Sequence, residues 1–225
     1  MAIILALDTS TKNCSVALFN GNKIITLKEQ NSDDYTHAEQ LTLFIEEVIK
    51  SANLPLKEIE AIAISKGPGS YTGLRIGAST AKGLCYALDI PLISISTLKA
   101  MAFTMTKSHL ADIYCPMIDA RRMEVFSGIY DIENNEIRGI QADVVEEQTY
   151  ANFLNNEVLF FGDGALKCKE IINHKNAKFF KGVYPSAKDL GKLANAKFMN
   201  KDFEDVAYFE PFYLKDFVAG KKKLS

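Results

Sequence analysis

The 225-residue chain has too few histidines, and too little excess charge, for several of the commoner functions. Its three histidines, His37, His109 and His174, lie far apart, and none has a second His, Cys or Glu at metal-ligand spacing in a convincing context. His37 and Glu39 are two residues apart, which turns them to different faces of a helix. The four cysteines, Cys14, Cys85, Cys115 and Cys168, form no CxxC pair. This excludes a zinc site or disulfide framework and fits buried free thiols in a reducing compartment. No apolar run is long enough to span a bilayer, and no basic stretch precedes the first apolar run. A cytoplasmic protein with no membrane contact is the expectation. The formal net charge of −2 argues against a stand-alone nucleic-acid binder. Lys221–Lys223 then read as a small solvated basic tail.

Nearly half the residues are hydrophobic and about a quarter are charged, the balance of an ordinary packed protein. "IILAL" predicts a first strand ending at Asp8, "CSVALF" a second, and Asn20-Gly21 a hairpin into "KIITLKE". A helix over 34–50 follows, opened by Asp33 and Asp34, with Leu41, Phe44, Ile45, Val48 and Ile49 as its apolar stripe. His37 falls on that stripe, where packing or an interface suits it better than catalysis. A strand (59–65), a glycine loop, a helix (73–88), the strand "PLISIS" and a helix from Thr97 complete the order βββαβαβα.

The same order recurs further on. Strands at "IYCPMID", "EVFSGIYD" and "EIRGIQADVVEE" precede a short helix near 149–155 and the strand "VLFF". The loop "GDGA", a helix at 165–174, a strand at "KFFKG" and a helix over 186–199 finish the second half. Asp8 and Asp119 end matching strands, and Gly67–Ser70 matches Gly162–Ala165. The expected division is a lobe over 1–104, a second over 105–200 and a tail over 201–225. This duplicated α/β unit resembles the fold of actin, sugar kinases and Hsp70 (the ASKHA superfamily), in which two ribonuclease H-like lobes face a nucleotide cleft.

The glycine loop "SKGPGSYTGLRIG" fails as a Walker loop. Counted from Gly67 or Gly69, the second glycine position holds Thr72 or Leu74, and no lysine follows. An anion could still meet its backbone N–H groups at a helix N-terminus. In the helix beyond, Gly73, Gly77, Ala81 and Cys85 are four apart and form one small-residue ridge. Helical glycine costs about 1 kcal/mol relative to alanine, so close approach of another element is expected. That element is either the 34–50 helix of the same lobe or a partner protein. Converging carboxylates for a nuclease and a nucleophile–base pair for a peptidase are missing. The general base and acidic Mg²⁺ ligands of a sugar kinase could be approached only by the three aspartates Asp8, Asp119 and Asp163. Asp8, Asp119 and Asp163 suit turn capping better.

Seven segments together carry a family resemblance: "ILALDTSTKNCSVAL", "HAEQL", "SKGPGSYTGLRIGASTAKGL", "IPLISISTLKA", "IDARRMEVF", "GDGA" and "PFYLK". In this order they resemble the TsaB (YeaZ) family. The resemblance implies a non-catalytic subunit that binds and supports TsaD in N6-threonylcarbamoylation of tRNA adenosine-37. It also implies TsaE as an ATPase of the full complex, tRNA met through the complex, and a homodimer when TsaD is absent. No cofactor or metal is implied, because Thr97 and Met101 stand where TsaD has the two histidines of an HxxxH motif. The resemblance places the interface on the helices after "HAEQL" and "SYTGLRIG", with His37, Leu41, Phe44, Leu74, Gly77, Ala78, Ala81 and Cys85 as its residues. A kinase-like or carbamoyl-transferring enzyme using the inter-lobe cleft is the alternative.

Overall fold

The computed structural model describes residues 1–32 and 36–215; the expected Asp33/Asp34 cap and the lysines at 221–223 lie outside them. Two five-stranded sheets share one topology. In the first, β1 (Ile3–Asp8), β2 (Asn13–Asn20), β3 (Lys23–Asn31), β4 (Ala61–Ser65) and β5 (Leu92–Ile95) run in the order β3-β2-β1-β4-β5. The second sheet has β6 (Ile113–Asp119), β7 (Glu124–Tyr130), β8 (Glu136–Val144), β9 (Val158–Phe161) and β10 (Ala177–Phe180), ordered β8-β7-β6-β9-β10. In both sheets the first three strands are antiparallel and the last two parallel to the first. This is the ribonuclease H-like unit, present twice.

Side-chain size decides how each face of the first sheet is covered. Leu5, Leu7, Val16 and Leu18 face α1 (His37–Ala52) and α2 (Tyr71–Leu88). The other face is mostly alanine (Ala6, Ala17, Ala61 and Ala63), and α4 (Gly191–Met199) packs against it. A Cβ at Gly191 would lie 2.0 Å from the Phe19 ring, so the start of α4 has to be glycine.

The helices are shared between the lobes. α3 (Thr97–Ser108), which follows the first sheet in sequence, packs on β6 and β7 of the second. α4, which follows the second sheet, packs on the first. The expected boundary at 104/105 falls inside α3, and each lobe takes its last helix from the other half of the chain. Where the exchange crosses, Thr104 Oγ1 donates to Asp189 at 2.8 Å, Asn13 Nδ2 to the Pro185 carbonyl at 2.8 Å, and the Ala187 N–H to Ser15 at 2.8 Å. Burial holds the Asp189 carboxyl near a pKa of about 7.

Several expected helices differ. α1 starts at His37, later than expected, and its preceding residue Thr36 makes no side-chain cap bond. The helices expected at 149–155 and 165–174 shrink to 3-10 turns at 151–153 and 166–168. Ala165, Cys168 and Ile172 do face the core, but i→i+3 bonds place them there as well as an α-helix would.

The second lobe also buries an ionic network that composition could not reveal. Asp143 accepts from Arg138 (2.6 Å and 3.2 Å), from Ser127 at 2.5 Å and from the Tyr150 hydroxyl at 3.0 Å. It ties β7 and β8 to the chain that follows them.

Candidate functional site

The C-terminal ends of β1, β4, β6 and β9 meet around a cleft of about 650 Å³ between the lobes. Its lining includes Ser10, Thr11, Gly69, Ser70 and Thr72 on one side and Asp119, Arg121, Arg122 and Asp163 on the other. The acids here are already engaged. Asp8 is 1 % exposed, and its Oδ1 accepts from the Ser10 N–H (2.9 Å) and hydroxyl (2.7 Å). Burial outweighs those bonds and raises its pKa to about 6. Asp119 pairs with Lys167, which also donates to the Arg122 and Glu124 carbonyls. Asp163 Oδ1 accepts the Asp119 N–H at 3.0 Å, and burial raises its pKa. Each carboxylate therefore fixes a loop. Among the described residues no three His, Cys, Asp or Glu gather as a metal-holding group.

The glycine loop owes its composition to the loop after β1. A Cβ at Gly69 would lie 2.2 Å from the Ser10 carbonyl oxygen, and one at Gly73 2.1 Å from that of Thr9. The Ser70 N–H donates to Ser10 O at 2.7 Å, the Thr9 hydroxyl donates to Gly73 O at 2.8 Å, and Ser70 Oγ caps the Gly73 N–H. His37 joins the same knot: its Nε2 donates to the Thr11 carbonyl at 2.6 Å, and burial lowers its pKa. Two backbones in contact need glycine between them, and no phosphate is required to explain it.

The eight expected interface residues are all buried inside the monomer. His37, Leu41, Phe44, Leu74, Ala78, Ala81 and Cys85 are 0–5 % exposed, and Gly77 is buried too. The ridge Gly73–Gly77–Ala81–Cys85 faces the chain's own first sheet and the loop after β1. A Cβ at Gly77 would meet Thr9 Oγ1 at 2.4 Å and Ile64 at 3.4 Å. Within the monomer the ridge accommodates the loop after β1, and the 34–50 helix shares it at its first turn, where a Cβ on Gly73 would lie 3.2 Å from the His37 ring. The structure leaves a second ridge open instead. Ser79, Gly83 and Ala87, also four apart, are exposed on α2, and a Cβ at Gly83 would meet nothing within 4 Å. Arg75 precedes them, and Tyr86, 88 % exposed, stands beside them. Spacing singled out the inner ridge only; the outer one has the same four-residue period and emerges from the exposure of its residues.

The remaining positions singled out by motif are structural. Thr97 Oγ1 accepts the Gly67 N–H at 3.2 Å, and Met101 is 1 % exposed with its Cε where a Cβ on Gly162 would come within 3.2 Å. Arg121 and Arg122, which the sequence did not single out as site residues, form the β6–β7 turn in left-handed backbone (φ 70° and 49°). The break between the two strands was legible, but the absence of glycine or asparagine gave no sign of the left-handed backbone there.

A protein-family model described as "TsaD: tRNA N6-adenosine threonylcarbamoyltransferase" matches residues 33–223. The tRNA threonylcarbamoyladenosine biosynthesis protein TsaB of Haemophilus influenzae is 31 % identical over 97 % of this chain and 96 % of its own. The chain belongs to the TsaB family. The Escherichia coli TsaB is 30 % identical, over 97 % of each chain. Among solved structures, YeaZ from Pseudomonas aeruginosa superposes with a TM-score of 0.84 at 27 % identity, covering 95 % of this chain and all of that one. These matches and the two repeated sheets make this the duplicated actin-like α/β fold. No helix among the described residues is long and apolar enough to cross a membrane.

Proposed function

We propose that this TsaB-family chain serves tRNA threonylcarbamoyladenosine (t6A) biosynthesis as a non-catalytic subunit that docks a TsaD-type transferase on the outer faces of α1 and α2. The observation that carries the docking site is Gly83. A glycine in a helix interior costs about 1 kcal/mol relative to alanine, and packing within the monomer supplies no reason for it, because a Cβ there would meet nothing within 4 Å. A helix from outside, packing on Ser79, Gly83 and Ala87, supplies one. Tyr86, 88 % exposed on α2, gives this face aromatic contact area.

The non-catalytic reading is supported by the carboxylates around the cleft, each engaged in holding a loop, and by Thr97 and Met101, which pack and bond as structural residues. Contact with a TsaE-type ATPase, engagement of tRNA through the complex, a homodimer through the same face and a cytoplasmic setting belong to this reading. The test is co-purification with the cognate TsaD, followed by a tRNA modification assay with and without this chain. Loss of modification without it supports the reading. Full modification by TsaD and the other components alone would sink it, and ATP-dependent transfer by this chain alone would favour an enzyme.

A further inference from the structure

Beyond α4 the chain returns across the first lobe, and its last described residues reach the second. Glu204 bridges to Leu92, with its N–H donating to the Leu92 carbonyl at 2.9 Å. Lys82 on α2 donates to the carbonyls of Ala207 (3.0 Å) and Phe209 (3.3 Å). Phe209 is buried in the first lobe's core, and the Phe212 N–H donates to Lys66 O at 2.7 Å. A Cβ on Gly67 would lie 2.7 Å from the Phe212 carbonyl oxygen, so the glycine loop is shaped for this passage too. From there Tyr213 packs on Tyr71 at the start of α2, ring centroids 4.9 Å apart. The chain then changes lobe: Leu214 packs on the core between α3 and the second sheet, and Lys215 pairs with Glu124 of β7. Tyr213, Leu214 and Lys215 all line the inter-lobe cleft.

We propose that residues 204–215 are a latch: anchored in the first lobe, they close over the cleft and hold the second lobe against it. The anchors are unequal. On the first lobe they are a buried aromatic ring and backbone hydrogen bonds. On the second they are one half-buried leucine and one solvent-facing ion pair, which contributes little and is screened by salt. Release therefore occurs at Leu214 and Lys215, with the first-lobe part of the latch left in place. Opening there uncovers the cleft wall that holds Arg121, Arg122 and Glu124. Away from the cleft the lobes stay joined by the exchanged helices, so the latch governs an angle and not the integrity of the fold.

The test is amide hydrogen exchange on the full chain carrying Tyr213→Ala and Leu214→Ala together. Exchange should accelerate at least tenfold in residues 10–11 and 120–124, on the two walls of the cleft, and stay unchanged in β1, β4, β6 and β9. Unchanged exchange in either wall overturns the latch. So does equal acceleration throughout the core strands, which would make 213–214 ordinary core. Lys215→Glu acts on a pair in which Lys215 is exposed and Glu124 half-buried. It should speed exchange in 120–124 by a few-fold at low salt and less at high salt; identical exchange at both salts likewise overturns the proposal.

Discussion

Leucine at Gly83 and alanine at Gly77 should have opposite consequences, because the two glycines face opposite sides of one helix. A Cβ at Gly83 finds open space, and the backbone there is ordinary helix. Gly83→Ala should therefore stabilise the monomer by roughly 0.5–1 kcal/mol. For a chain of this size that raises the melting temperature by about 1–4 °C. Gly83→Leu should also melt at or slightly above the parent temperature, but it places a branched side chain where a partner helix would lie. Overpacking of that kind costs roughly 1–3 kcal/mol, so TsaD binding should weaken by about 5- to 200-fold. At Gly77 a Cβ would sit 2.4 Å from Thr9 Oγ1, against the hydroxyl that holds Gly73 O. Gly77→Ala should lower stability by roughly 1–3 kcal/mol, with binding by the folded fraction unchanged. Thermal melts and calorimetric titration with TsaD measure both quantities on the same samples. Parent-like affinity for Gly83→Leu would refute the docking face. A normal melt with lost binding for Gly77→Ala would return the interface to the inner ridge.

Asp8→Asn should stabilise the protein at neutral pH. The folded-state pKa, raised to about 6 from 3.8, means the folded state holds the proton more tightly than the unfolded chain does. The resulting penalty is absent below pH 4, grows as the pH rises through 4–6 and is complete above it. Urea titrations should show the variant's advantage rising from near zero at pH 4 to at most about 3 kcal/mol at pH 8, and a flat difference would contradict the assignment. The same variant should support tRNA modification at the parental rate, since Asp8 holds Ser10 and no reacting group. Asp143→Ala strands the Arg138 guanidinium and should cost about 3–5 kcal/mol in denaturant unfolding, whereas replacing the network by apolar residues of similar volume should cost far less.

Much of the fold was legible because strands and amphipathic helices carry their period in the sequence. β1, β2, β6 and β9 begin and end within a residue or two of their apolar runs, and the repeated order predicted both sheets. What could not be read was which partner each apolar face had. α3 and α4 change lobes because large residues on β6 and β7 and alanines on the first sheet each select one helix. That match lies between segments far apart in sequence. The stripe of α1 was read correctly as apolar, and within the monomer its residues face β2 and α2. The strap of 204–215 was marked only by its closing "PFYLK", and its path could not be read, since hydrogen bonds between its backbone and Lys82, Lys66 and Leu92 depend on position more than on residue type.

The two glycine-rich features of the first lobe have separate causes. In the loop, Gly67, Gly69 and Gly73 each lack a side chain because backbone passes there: residue 212 for the first, and residues 9–10 for the others. Gly77 continues that contact with Thr9 and Ile64. These four are accounted for within the monomer, so they carry no information about a ligand or a partner. Gly83 has no such neighbour, and its conformational cost is not offset by anything in the chain. A marginally stable protein loses a measurable part of its stability to such a position, and the proposed docking of a partner helix is what would offset it. The docking face is therefore read from the one helical glycine that the fold does not need.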